Sequence, residues 1–129
     1  MEFSLSNEQD MIVDTVRSFV EQELYPHEDE VEKTNHIDTG LAESIKQKAI
    51  NLGLYAANMP VEYGGGGLDT LTLCLLEKEL GKANFGLQYI VARPSNILMA
   101  CKDEQIDKYL VPTIRGEKVD CLAMTEPNA

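Results

Sequence analysis

Residues Leu52–Leu80 read LGLYAANMPVEYGGGGLDTLTLCLLEKEL, and the role given to the glycines in this stretch decides the fold. A glycine cluster ahead of a helix can be a phosphate-binding loop, which would imply an α/β domain. That loop needs a preceding strand, a fixed glycine spacing and a following Lys-Ser or Lys-Thr. None of these surrounds Gly64–Gly67. The glycines therefore read as a flexible connection between two helices. Asp69 is placed to cap the second of them, Thr70–Leu80. Its Leu71, Leu73, Cys74, Leu75, Leu76 and Leu80 leave only Glu77, Lys78 and Glu79 as a polar face. A helix apolar on nearly every side is expected at the centre of a bundle.

The flanking sequence continues the helical pattern. Leu41, Ile45, Ala49 and Leu52 form one stripe of a helix from about Thr39 to Leu52, ended by Gly53. Near the N-terminus, Ser6 and Gln9 make a capping-box pair ahead of Ile12, Val16, Phe19, Val20 and Leu24, which share one helix face. Pro26 permits a kinked or restarted helix beyond it. The acidic run Glu28–Glu32 reads as a solvated face. Asn84 is expected to cap a helix that Pro94 interrupts, and PSNILMACK to form a further helix with proline in its first turn. Asp103 is expected to cap another, with Ile106 and Leu110 buried, which Pro112 breaks or tightens before Gly116. Only after GEKVD does the pattern change, to CLAMTEPNA, which reads as a strand and a turn.

The fold class is thus all-α, a bundle of five to six helices over residues 1–118. Residues 119–129 open with the first strand of a further β domain. A lone strand cannot satisfy its own backbone groups, so the chain is expected to be the front part of a longer protein.

Bulk properties narrow the function. The 129 residues suit one domain, and 43% hydrophobic residues can bury a core. A net charge of −11 without a basic stripe argues against nucleic acid and anionic membranes as partners. There is no apolar run of membrane-spanning length, and MEFSLSNEQD has neither a signal nor a transit pattern, so a cytoplasmic protein is expected. Cys74, Cys101 and Cys121 are far apart and lie among apolar residues. They read as small buried hydrophobes, with no disulfide framework and no metal site. His27 and His36 lack partners at useful spacing and read as surface residues.

Four stretches together resemble the N-terminal domain of the flavin-dependent acyl-CoA dehydrogenase family: LSNEQDMIVDTVRSFVEQELYP, LGLYAANMPVEYGGGGLD, EQIDKYLVPTIRGEK and AMTEPNA. The Tyr-Gly-Gly loop and the Thr-Glu-Pro turn are the more specific parts, and the match covers essentially the whole chain. The resemblance implies a helical domain, a strand domain starting near Val119 and a second helical domain. It implies non-covalent FAD and oxidation of the α,β C–C bond of an acyl-CoA thioester. An electron-transfer acceptor and a homo-oligomer are also implied.

By the same resemblance, Leu122, Met124 and Thr125 fall at the flavin. Leu122 stands where many members carry an aromatic residue. Gln88–Met99 falls at the acyl pocket, with Gln88, Tyr89 and Arg93 as its polar or amphipathic members. From the residues alone, Tyr89 reads equally as a core or interface aromatic, and Arg93 as a partner of a helix dipole. Between Leu80 and Gln105 the chain is about one helical turn shorter than the family pattern. No position matches the family's catalytic glutamate, so the chain is expected to be inactive alone. Two other classes stay open: a stand-alone helical interaction module, and a family member with another flavin reaction, such as enoyl-CoA reduction or nitroalkane oxidation.

Overall fold

The computed structural model describes residues 4–91, 93–121, 123 and 125, and the described residues form no strand. Six α-helical segments follow one another: α1 (Asn7–Phe19), α2 (Glu28–Thr34), α3 (Thr39–Asn51), α4 (Thr70–Leu80), α5 (Phe85–Ile90) and α6 (Val111–Ile114). Three of the expected caps form. Ser6 and Gln9 make the reciprocal capping box, Asp69 accepts from the Leu71 and Thr72 N–H groups, and Asn84 accepts from those of Gly86 and Leu87. The α3 cap is Asp38, which accepts from the Leu41 N–H.

Two prolines that would break a helix are accommodated by widening it. The backbone from Val20 to Leu24 and from Ile106 to Leu110 takes π-type turns, each two residues ahead of a proline. The Tyr25 N–H reaches the Val20 carbonyl, and the Val111 N–H reaches that of Ile106. Widening relieves the clash between a proline ring and the carbonyl four residues back. Ahead of Pro112 that carbonyl belongs to Lys108, and it accepts from Lys118 Nζ at 2.6 Å. Pro112 therefore loosens its helix instead of breaking or tightening it.

Most of the core is one cluster. It joins Val16, Phe19, Val20 and Leu24 to Ile45 and Ala49 of α3, Leu76 and Leu80 of α4, and Leu87 of α5. A smaller cluster joins Ala56 and Met59 to Leu110 and Ile114. Between them lies the glycine loop, and it is not a flexible connection. Five consecutive N–H groups, from Gly64 to Leu68, donate to carbonyls of Val61, Pro60, Ala56, Met59 and Ala57 at 2.8–3.0 Å. A Cβ on Gly65 would stand 2.2 Å from the Met59 carbonyl oxygen, and one on Gly66 would stand 2.9 Å from Ala57 Cα. The glycines are there because two backbones touch.

Helix α4 is not central. It buries Thr72, Leu76, Glu79 and Leu80 against α1, while Leu71 is 55% exposed and Cys74 is exposed as well. Leu52 is also exposed, since α3 ends at Asn51. Cys121 is exposed and Cys101 half-buried, so none of the three thiols is a core residue. Asp103 does not cap; it takes a left-handed φ of 48°, and the Lys102 N–H is instead bound by Gln105 Oε1. PSNILMACK forms only a short 3-10 stretch, Asn96–Ala100, headed by Ser95. Part of the acidic run does structural work: Glu28 accepts from the Asn84 N–H at 2.6 Å, and Glu32 from the Asn84 side-chain amide. Val119–Cys121, Ala123 and Thr125 have no regular structure; Leu122, Met124 and 126–129, the rest of the expected strand, lie outside the described residues.

Between α1 and α4, Glu79 accepts from Lys82 Nζ at 2.6 Å and from Arg17 Nε at 3.3 Å, with its own side chain only 5% exposed. The Lys82 bond, opposed by burial and reinforced by Arg17, holds the carboxyl below the usual carboxylate range. A depressed folded-state pKa stabilises above the unfolded value and is lost as pH falls through the folded one. Replacing Glu79 by Gln should therefore flatten the acid limb of stability below a pH of about 4.5, measured by urea unfolding across pH. At the glycine loop, Gly65→Ala should cost about 2 kcal/mol or more by overpacking against backbone. Gly53→Ala is the control: its φ is +72° but nothing lies near the new Cβ. Its cost should stay at about 1–2 kcal/mol. Equal losses at the two positions would contradict the close-approach reading.

Candidate functional site

Helix α5 carries the site. Its Asn84 cap, pinned by Glu28 and Glu32 of α2, fixes where the helix begins. Leu87 and Val91 are buried and fix its rotation. Gln88 is left half-buried, and Tyr89 is 56% exposed. Tyr89 is thus a surface aromatic, 6.0 Å between ring centroids from the exposed Phe85. Arg93 is engaged by an ion pair, Nε to Glu77 Oε1 of α4 at 3.2 Å.

Tyr89 and Arg93 line two of the hollows beside this helix. The smaller, about 140 Å³, lies toward α4 and is completed by Glu77, Leu80, Phe85 and Gln88. The larger, about 380 Å³, lies toward α3. Its walls include Lys46, Tyr55, Ser95 and the segment Val119–Cys121. All three substrate-pocket candidates, Gln88, Tyr89 and Arg93, thus meet in the smaller hollow, and two of them extend into the larger.

Sequence reasoning missed the larger hollow's polar wall. Asp120 Oδ2 accepts from the Ser95 N–H at 3.0 Å, tying the segment after α6 to the end of α5. Tyr55 is half-buried; burial first, and then the Asp120 charge, push its phenol above the ordinary tyrosine value. Lys46 is occupied, with Nζ 2.8 Å from Glu43 Oε2 and 3.2 Å from the Gly116 carbonyl. A carboxylate interrupting the apolar run VDCLAM was the one signal available in the sequence for Asp120.

Of the flavin candidates, Thr125 is exposed and has no regular structure, while Leu122 and Met124 lie outside the described residues. An exposed hydroxyl can bond a flavin, and Thr125 lines neither of the two hollows described above. Among the described residues, no group of three or more His, Cys, Asp and Glu could hold a metal ion, and no helix is long and apolar enough to cross a membrane.

The comparisons agree with this architecture. The family model described as "Acyl-CoA dehydrogenase, N-terminal domain" matches residues 6–117, and the chain belongs to that family. A 3-(aryl)acrylate reductase of Clostridium sporogenes is 36% identical over 96% of this chain and 33% of its own length. A probable acyl-CoA dehydrogenase, YngJ, of Bacillus subtilis is 34% identical over 100% of the chain and 34% of its own. The crystal structure of an acyl-CoA dehydrogenase complexed with FAD from Bacillus anthracis superposes with a TM-score of 0.77. It is 28% identical and covers 98% of this chain and 22% of that one. The chain therefore spans about a third of the length of the curated relatives it matches.

Because burial is the leading cause at Tyr55, Asp120→Asn should lower the phenol's pKa only part of the way to its ordinary value of 10.0. The pH titration of labelled tyrosine ring carbons by NMR reads this. Full return to that value would make the Asp120 charge the leading cause.

Proposed function

We propose that this chain is the N-terminal helical part, residues 1–118, of a longer FAD-dependent enzyme, with 119–129 opening its strand domain. The enzyme would oxidise the α,β C–C bond of an acyl-CoA thioester. One observation carries the reading beyond family membership. Tyr89 of α5 and Arg93 just beyond it, two of the three residues assigned to the substrate, share a hollow with Val119–Cys121, the segment that precedes Leu122–Thr125 in the sequence. Substrate and flavin must meet in such an enzyme, and a segment that borders the substrate candidates runs on in sequence to the flavin candidates, which supports the reading.

The roles divide accordingly. Gln88, Tyr89 and Arg93 line the cleft for the acyl tail. Leu122, Met124 and Thr125 contact the flavin, with the Thr125 hydroxyl available to its ring atoms. FAD, when bound, supplies the acceptor for the β hydride. The base for the α proton comes from outside this chain, so the domain binds and orients without catalysing alone. An electron-transfer protein would reoxidise the flavin. A cytoplasmic homo-oligomer fits the free thiols and the exposed apolar side chains. A second reading, reduction of an enoyl thioester in the reverse direction, is favoured by the similarity to a protein named an acrylate reductase.

The test is the full-length protein that contains this domain. It should purify yellow with bound FAD, and anaerobic butyryl-CoA should bleach the flavin band. A colourless protein would overturn the reading. A yellow one that is reduced by a nicotinamide and oxidised by an enoyl-CoA, yet not bleached by the saturated thioester, would favour the reverse reaction.

A further inference from the structure

We infer that the corner formed by Lys108, Tyr109 and Lys118 is a binding site for a dianionic phosphate group. None of the three lines the hollows described above. Lys108 Nζ is 5.3 Å from the centroid of the Tyr109 ring, and Lys118 Nζ is 5.6 Å from it. Two ammoniums thus share one exposed aromatic ring in a chain of net charge −11. Among the described residues, Arg17, Lys46, Lys48, Lys82 and Arg93 each have a carboxylate partner, and these two lysines have none.

The backbone explains how this pair arises. Glu104 precedes Lys108 by four residues, the spacing at which a regular helix brings opposite charges together. The π-type turn Ile106–Leu110 breaks that spacing. Pro112, four residues after Lys108, has no N–H to give the Lys108 carbonyl, and Lys118 Nζ donates to it at 2.6 Å. The Lys118 N–H is bound in turn by the Pro112 carbonyl at 3.2 Å, so this residue is held at both ends. Its ammonium is placed in advance, with N–H donors to spare, and an incoming anion does not have to order it. Like charges held together repel, and an anion between them removes the repulsion. Lysine ammoniums are point charges that suit a tetrahedral phosphate, whereas a planar carboxylate is gripped best by the fork of arginine. The aromatic face steadies both ammoniums by cation–π attraction, so the ring is needed and its hydroxyl is not. The group can come as inorganic phosphate or as a phosphate monoester.

The test is calorimetric titration of the full-length protein that contains this domain, at constant ionic strength, with inorganic phosphate, adenosine monophosphate and acetate. Wild type should bind phosphate saturably and acetate more weakly. Lys108→Gln should weaken phosphate binding by roughly tenfold or more, the scale of a lost hydrogen bond to a charged group. Lys108 is exposed and its replacement leaves the core intact. Lys118→Gln should weaken binding as much. Tyr109→Phe should bind as wild type does and Tyr109→Ala less tightly. Lys78→Gln, at an exposed lysine of α4, should change nothing. Adenosine monophosphate binding at least as tightly as phosphate would identify the source as a phosphate ester, and tighter binding of inorganic phosphate would identify it as the free ion. Absence of saturable phosphate binding would overturn the site. So would phosphate binding that both Lys108→Gln and Lys118→Gln leave unchanged, acetate binding equal to phosphate, or an equal loss in Lys78→Gln.

Discussion

The backbone contact between Gly64–Leu68 and Ala56–Val61 is the constraint on which the rest of the fold depends. Loops of this length usually run over a surface, because buried backbone must find partners. Here the loop finds them in itself, through five consecutive N–H donors. Its residues then face two ways. Leu54 and Ala57 belong to the main core, while Ala56 and Met59 belong to the smaller cluster with Leu110 and Ile114. Ala56 adopts a left-handed φ of 55°, which is unfavourable for alanine by about 1–2 kcal/mol. The Ala56 carbonyl offsets this by accepting from both Met59 and Gly66 at 3.0 Å. That contact helps to fix α6 against the main core, together with the Lys46 bond to the Gly116 carbonyl and the bond from the Ser95 N–H to Asp120.

What the sequence made legible was local. Caps at Ser6, Asp69 and Asn84 involve partners within three residues, so residue type and spacing suffice to find them. The buried face of α1 follows from its period. What escaped depends on contacts between distant segments. Four glycines carry the same letters whether they flex or touch another backbone, and only Met59 and Ala57 decide which. Helix α4 looks central because it is apolar on several sides. Its period cannot say that its main partner among the described residues is α1, with Leu71 and Cys74 left exposed. Asp103 has the right chemistry for a cap and the wrong φ, which composition does not encode.

The candidate site divides in the same way. Gln88, Tyr89 and Arg93 were placed by resemblance over a continuous stretch, and the fold gathers them at one small hollow. Tyr55, Ser95 and Asp120 come from three separate segments, and no spacing rule connects them. The distribution of acids explains part of the difficulty. A net charge of −11 suggests carboxylates spread over solvent-facing surfaces. Yet Glu28, Glu32, Glu79 and Asp120 each accept a hydrogen bond from a distant segment. Charge counts describe the surface as a whole and do not reveal which acids act as fasteners.

Those fasteners explain how α5 is held in place although it is only six residues long. A helix that short is not stable by itself. Its start is held by Asn84, which joins it to α2. Beyond its end, Pro94 cannot continue the helix hydrogen-bond pattern, because it has no N–H. The Pro94 carbonyl and the Ser95 N–H are instead bound by Asn58 and Asp120, one from the glycine-loop region and one from the segment after α6. Asn58 also reaches Asn96 Oδ1 at 2.7 Å. Both ends of α5 are therefore set by side chains belonging to other elements. The position of Tyr89 is a property of the whole fold more than of the helix that carries it. Any change that loosens the glycine loop should reach Tyr89 through Asn58, and one at Asp120 should reach it through Ser95, without touching α5 itself.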